Sequence, residues 1–165
     1  MNKLIGLRLR AVVACAAVTG VLALTNSAIA YAADNTLPMG GKCETTFAFT
    51  GPTTSHYEGT CNLLHLGLTH VVAAQAVTFN PDGTLHIMDV AVYTSANGDE
   101  LFGYFDGVGT FISPSEVSFV GTETYNHGTG RFADASGAAV LTGVAMFTSP
   151  GGGIGEYAGK GTLSY

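Results

Sequence analysis

Basic residues are scarce: six Lys and Arg stand against twelve Asp and Glu in 165 positions. Three of the six, Lys3, Arg8 and Arg10, fall within the first ten residues. Residues 34–165 therefore keep only Lys42, Arg131 and Lys160 beside all twelve acids, a balance of −9 with histidine neutral. Such a surface repels phosphate backbones and anionic headgroups, which argues against nucleic-acid and membrane-surface roles and favours solubility. Cysteine is rarer still, with Cys15, Cys43 and Cys61 alone, and no C-x-x-C spacing occurs. His56, His65, His70, His86 and His127 are scattered and form neither H-x-H nor H-E-x-x-H, so no metal motif is written in the chain. Gly151-Gly152-Gly153 is not followed by Lys-Ser or Lys-Thr, no G-x-S-x-G elbow appears, and no Asn-x-Ser/Thr sequon is present. No segment joins a 3.6-residue apolar stripe to helix caps.

One long apolar run exists, Ala11 to Leu24, preceded by the basic cluster and followed by Ala28-Ile29-Ala30 and Ala30-Tyr31-Ala32. That order of charge, apolar core and small-residue cleavage sites reads as a signal peptide over residues 1–33, cleaved near 30–33. The run falls short of the roughly 20 residues of a membrane span, so a retained anchor is the weaker alternative. Cleavage at Cys15 as a lipoprotein would leave almost no apolar core before it. The expectation is a secreted or periplasmic protein with a short linker over 34–42 and one domain over 43–165. In an oxidising compartment Cys43 and Cys61 are expected to pair. A hairpin centred on Pro52 in Gly51-Pro52-Thr53-Thr54 places them opposite each other, and closing such a loop stabilises by roughly 3 kcal/mol in the chain-entropy account.

From Cys43 onward short β-rich runs alternate with turn signals. The runs cover 43–50, 54–63, 68–79, 84–94, 100–111, 116–126, 138–148 and 154–165. Asn80-Pro81-Asp82-Gly83 and Ala96-Asn97-Gly98-Asp99 carry the Asp-Gly and Asn-Gly pairs of tight hairpins. The pattern predicts an all-β fold, an eight-stranded antiparallel up-and-down barrel whose closure removes exposed edges. Glycines interleave with aromatics, as in Gly103-Tyr104-Phe105 and Gly107, which suits the bends of a small coiled barrel. Run 68–79 is apolar on both faces, suggesting an outer wall covered by a second copy or by the chain's own N-terminal segment.

In run 116–126 one face carries Val117, Phe119, Gly121, Glu123 and Tyr125, so a single carboxylate is set among apolar neighbours. If that face lines the barrel, Glu123 is desolvated and suited to general acid–base work or to orienting a ligand hydroxyl. The structural alternative is an ion pair with Arg131 or Lys160. Phe119 and Tyr125 share that face. Asp89, between Ile87 and Ala91, raises the same question, and Tyr104 with Asp106, which share a face, either add a hydroxyl and a carboxylate to a pocket or face solvent. Gly128-Thr129-Gly130-Arg131-Phe132-Ala133-Asp134 lies between two runs and reads as a structural clasp at a barrel end. Gly128 and Gly130 shape its turn, and the Arg131 guanidinium ties carbonyls to Asp134 or a strand-end acid. Ligand-anion binding by Arg131 is the sharper alternative.

The same stretch, Gly128-Thr129-Gly130-Arg131-Phe132-Ala133 with Ala135-Ser136-Gly137, resembles the G-G-T-G-R-F-A-x-A-x-G segment of the allene oxide cyclase-like and dirigent-like barrel superfamily. His127 stands where that segment begins with glycine. His65-Leu66-Gly67, Ala96-Asn97-Gly98-Asp99-Glu100-Leu101 and the closing Gly159-Lys160-Gly161-Thr162-Leu163-Ser164-Tyr165 are similar to secreted bacterial members. The resemblance implies an eight-stranded barrel with an apolar interior, often a homo-oligomer, acting on hydrophobic molecules without metal, nucleotide or other cofactor. Characterised relatives cyclise allene oxides, close spiro-rings or steer radical coupling, but none of their catalytic signatures maps onto this chain. Fold alone does not give activity. Three functions remain open: binding of a small hydrophobic molecule, a cofactor-free isomerase or cyclase, and a structural envelope or matrix barrel.

Overall fold

The computed structural model describes residues 36–165. The signal peptide expected over 1–33 and Cys15 lie outside the described residues. The described chain forms eight strands in sequence order: β1 Leu37–Phe49, β2 Thr54–Leu63, β3 Gly67–Phe79, β4 Leu85–Ser95, β5 Glu100–Ser113, β6 Glu116–Gly128, β7 Ser136–Ser149 and β8 Gly152–Ser164. Each pairs antiparallel with its neighbour, and β1 pairs with β8 to close an up-and-down barrel. A single 3-10 turn, Gly130–Phe132, interrupts the β succession between β6 and β7.

The hairpin turns are built by the expected residues. At the β3–β4 turn Gly83 adopts φ +85°, and Asp82 Oδ1 accepts the Thr84 amide at 3.0 Å and its hydroxyl at 2.7 Å. That pattern lets Asn80 and Thr84 close the hairpin at 2.9 Å. One boundary needs correction. Residues 37–42, expected in a linker, belong to β1, with Leu37 opposite Leu163 and Lys42 opposite Asn62. Pro38 and Gly40-Gly41 read as linker composition, but the glycines serve close approach: a Cβ on Gly40 would stand 2.6 Å from the Gly159 carbonyl oxygen.

The Cys43–Cys61 disulfide joins β1 to β2 at directly opposed positions and is buried inside the barrel. Inward-facing glycines set the interior shape. Gly107 and Gly121 face each other across β5 and β6, and a Cβ on either would lie 2.5 Å from the tip of the Phe105 ring. Gly143 does the same for Phe119, also at 2.5 Å. The aromatics therefore fill slots that the glycines leave. On β3, Leu68, Ala74 and Ala76 are exposed on the outer face, while Thr69, Val71 and Ala73 are buried inside. Within the described residues the apolar outer face of this run has no cover.

The two barrel ends differ. At the end where β1 begins and β8 finishes, Phe132, Leu101 and Leu163 are fully buried and Leu66, Met39 and Ala135 nearly so. The Tyr165 ring meets Phe132 edge-on at 4.9 Å. At the opposite end, where β1–β2, β3–β4, β5–β6 and β7–β8 turn, Phe49, Phe79 and Phe111 stand exposed around an opening.

Candidate functional site

The opening leads into a cavity of about 200 Å³. Seven phenylalanines border it, contributed by β1, β3, β5, β6 and β7, with Val77, Leu85, Ile87 and Leu141 completing an apolar wall. The polar residues are concentrated on β2, β3, β4 and β8: Ser55, Tyr57, Gln75, Asp89 and Tyr157. Strand alternation explains the arrangement, since Gln75, Asp89 and Phe105 are register partners on β3, β4 and β5 and all face inward.

Asp89 is 6% exposed, and its Oδ1 has no hydrogen-bond partner. Burial pushes its carboxyl up to about 6, against the pull of Tyr57 and Gln75, which favour the charged form by hydrogen bonding. Ser55 donates to Gln75 Oε1 at 3.0 Å and so orients that amide. Asp89 therefore sets a buried carboxyl with one oxygen unsatisfied on the polar side of the cavity.

Deeper in the barrel, Glu123 is completely buried. It is not ion-paired with Arg131 or Lys160; its partners are tyrosines. Tyr93 Oη lies 2.9 Å from both carboxyl oxygens, and Tyr125 donates to Oε2 at 3.2 Å. Burial, then the charge of Asp89, pushes Glu123 up to about 8, so it holds its proton at neutral pH. Space for the carboxyl comes from Gly103, where a Cβ would sit 2.8 Å from Glu123 Cδ. Tyr93 Oη is 3.3 Å from Tyr157 Oη, which lies 3.9 Å from Cys61 Sγ. Tyr157 and Tyr57 both line the cavity beside Asp89. Hydroxyl contacts thus run from Glu123 through Tyr93 to Tyr157, which lines the cavity together with Tyr57 and Asp89.

The structure therefore brings Asp89 and Phe119 to the cavity and places Glu123 and Tyr125 beneath it, bordering a small void of about 10 Å³. Tyr104 and Asp106 are corrected: both lie on the outer surface of β5, where Asp106 meets His86 at 3.2 Å and Tyr104 contacts Met88. Residue parity decides this, because the even positions of β5 face out while Leu101, Gly103 and Phe105 face in. Tyr57, Gln75, Tyr93 and Tyr157 were not singled out in the sequence. Each is polar among inward-facing positions of its strand, which is the one signal that marked them.

Arg131 lies at the closed end. Its Nη2 donates to the His65 carbonyl at 3.0 Å, its Nε lies 3.7 Å from Asp99 Oδ2, and its guanidinium covers the Phe132 ring at 4.7 Å. The acid is Asp99 of the β4–β5 turn and not Asp134, which is exposed. Gly130 has φ +54°, and a Cβ there would collide with the Asp99 carboxylate. Gly128 packs against Glu100 and Phe132. Thr129 completes the clasp by accepting the Glu100 amide at 2.9 Å.

No protein-family model, no curated protein and no solved structure matches the chain. Among the described residues no group of three or more His, Cys, Asp or Glu side chains converges as a metal site.

Proposed function

We propose that the barrel binds one small, largely hydrophobic molecule in the phenylalanine-lined cavity and works outside the cytoplasm. The observation that carries the reading is the asymmetry of the ends: one sealed by buried Phe132, Leu101 and Leu163, the other open between exposed phenylalanines. Exposed aromatics cost solubility and are expected where an apolar ligand passes. The likeness of Gly128–Gly137 to the allene oxide cyclase-like and dirigent-like barrels supports the same reading, since those barrels handle hydrophobic molecules. The signal-like segment and the Cys43–Cys61 bond support export.

The test uses a neutral fluorescent probe, N-phenyl-1-naphthylamine. Saturable one-site enhancement is expected with the wild type. Ala145→Phe, which grows a ring from β7 into the cavity, is expected to weaken binding at least tenfold with little change in melting temperature. Equal binding by the folded variant overturns the reading.

A second reading, a cofactor-free isomerase or cyclase, is favoured by one feature: Asp89 at the cavity, with the buried Glu123 and its tyrosines directly beneath it. In that reading Asp89 is the group that meets substrate and Glu123 a proton reservoir behind it. Unsaturated epoxides and polyketide-like dienes incubated with wild type, Asp89→Asn and Glu123→Gln test it; identical products and rates in all three argue against catalysis.

A further inference from the structure

Resting on that binding reading, we infer that the cavity selects a ligand with a cationic amine at its inner end, paired with Asp89 and with its apolar body against the phenylalanines. Three observations converge. First, the carboxylate is nine-tenths buried, borders the cavity, and leaves Oδ1 without a partner. A buried carboxylate oxygen left unpaired costs more than a neutral one, so the cavity favours a donor that also brings charge. Second, nothing among the described residues supplies that charge. No Lys, Arg or His borders the cavity, and the buried polar and charged side chains are Ser55, Thr69, Asp89, Ser95 and Glu123, two acids and no base. Third, the cavity is lined by seven phenylalanines and two tyrosines, and aromatic rings attract cations through their quadrupoles.

The groups facing Asp89 are Tyr57 from β2, Gln75 from β3, Phe105 from β5 and Tyr157 from β8, with Glu123 of β6 behind them. The tyrosines are neutral throughout the physiological range because burial raises them further. Asp89 is therefore the charge that an entering ligand meets. Its carboxyl titrates near pH 6, so the selection holds above that pH and weakens below it.

Three matched probes decide the matter: 4-phenylbutylamine, 4-phenylbutan-1-ol and 4-phenylbutyrate, each displacing N-phenyl-1-naphthylamine at pH 7.5. The amine is expected to displace at a concentration at least tenfold lower than the alcohol, and the carboxylate to be weakest. Asp89→Asn, isosteric and uncharged, is expected to bring the amine level with the alcohol while the alcohol's own affinity holds. In the wild type the amine's advantage is expected to shrink at pH 5. Equal binding of amine and alcohol by the wild type overturns the inference, as does carboxylate binding best or a preference that survives in Asp89→Asn. Should the variant fail to fold, the wild-type ranking and its change at pH 5 decide alone. If the naphthylamine binds and no amine preference follows, the amine inference falls and the hydrophobic-ligand reading stands; if neither it nor any of the three binds, both fall.

Discussion

Asp89 and Glu123 are both acids that folding makes weaker, and the consequence for stability has a definite sign. Their folded values, about 6 and about 8, lie above the ordinary 3.8 and 4.5. The native state therefore holds these protons more tightly than the unfolded chain. The stability each contributes is fully present below its ordinary value and is lost as pH rises through its folded value. The melting temperature is expected to fall between pH 5 and pH 8.5, the upper part of the fall belonging to Glu123. Glu123→Gln keeps the shape and a hydrogen-bond acceptor for Tyr93 but cannot ionise, so its melting curve is expected to flatten between pH 6 and pH 8.5. A wild type whose melting temperature is level over that interval contradicts the assignment. The suspicion attached to Glu123 was legible from its strand alone, because odd residues of 116–126 are apolar around one acid. Which acid meets the cavity was not legible. It depends on how far along the barrel axis each residue sits, and that follows from strand stagger rather than alternation.

At the scale of the strand, β5 shows how glycine and side chain are matched. Gly103 faces inward beside Glu123, and its missing Cβ is the space in which the carboxyl lies between Tyr93 and Tyr125. Gly103→Ala is expected to cost roughly 1–3 kcal/mol, as overpacking of a filled core does, read as a lowered urea midpoint. Combining it with Glu123→Ala, which removes the obstructing carboxyl, is expected to recover part of the loss; strict additivity of the two losses contradicts the contact. The strands themselves were readable nearly to the residue: β2 coincides with its expected span, and most others extend one to three residues further. The start of β1 was missed because Pro38 and Gly40-Gly41 look like a break when read locally. Their strand role rests on Gly159 and Leu163, more than a hundred residues away.

For the whole molecule, the clasp and the cavity occupy opposite ends and are expected to be separable. Arg131→Ala removes a hydrogen bond to the His65 carbonyl, a loose ion pair with Asp99 and cover over Phe132. The ion pair is partly solvated and adds little, so the carbonyl bond and the stacking dominate. The melting temperature is expected to drop by about 3–6 °C, while the affinity for N-phenyl-1-naphthylamine holds. Lost probe binding at an unchanged melting temperature would instead make Arg131 part of a ligand site. The closed barrel was readable because eight runs with short links have few other ways to hide two edges. The difference between its ends was not, since it arises from which loops fold inward.

That difference has a kinetic corollary. For a ligand bound as proposed, a barrel sealed at one end leaves a single portal, so arrival and departure would share one path and a resident molecule would have to leave before another entered. A bulky group on the rim beside Phe49 or Phe79 would slow both directions in equal proportion, stretching the residence time while the equilibrium constant stays where it was.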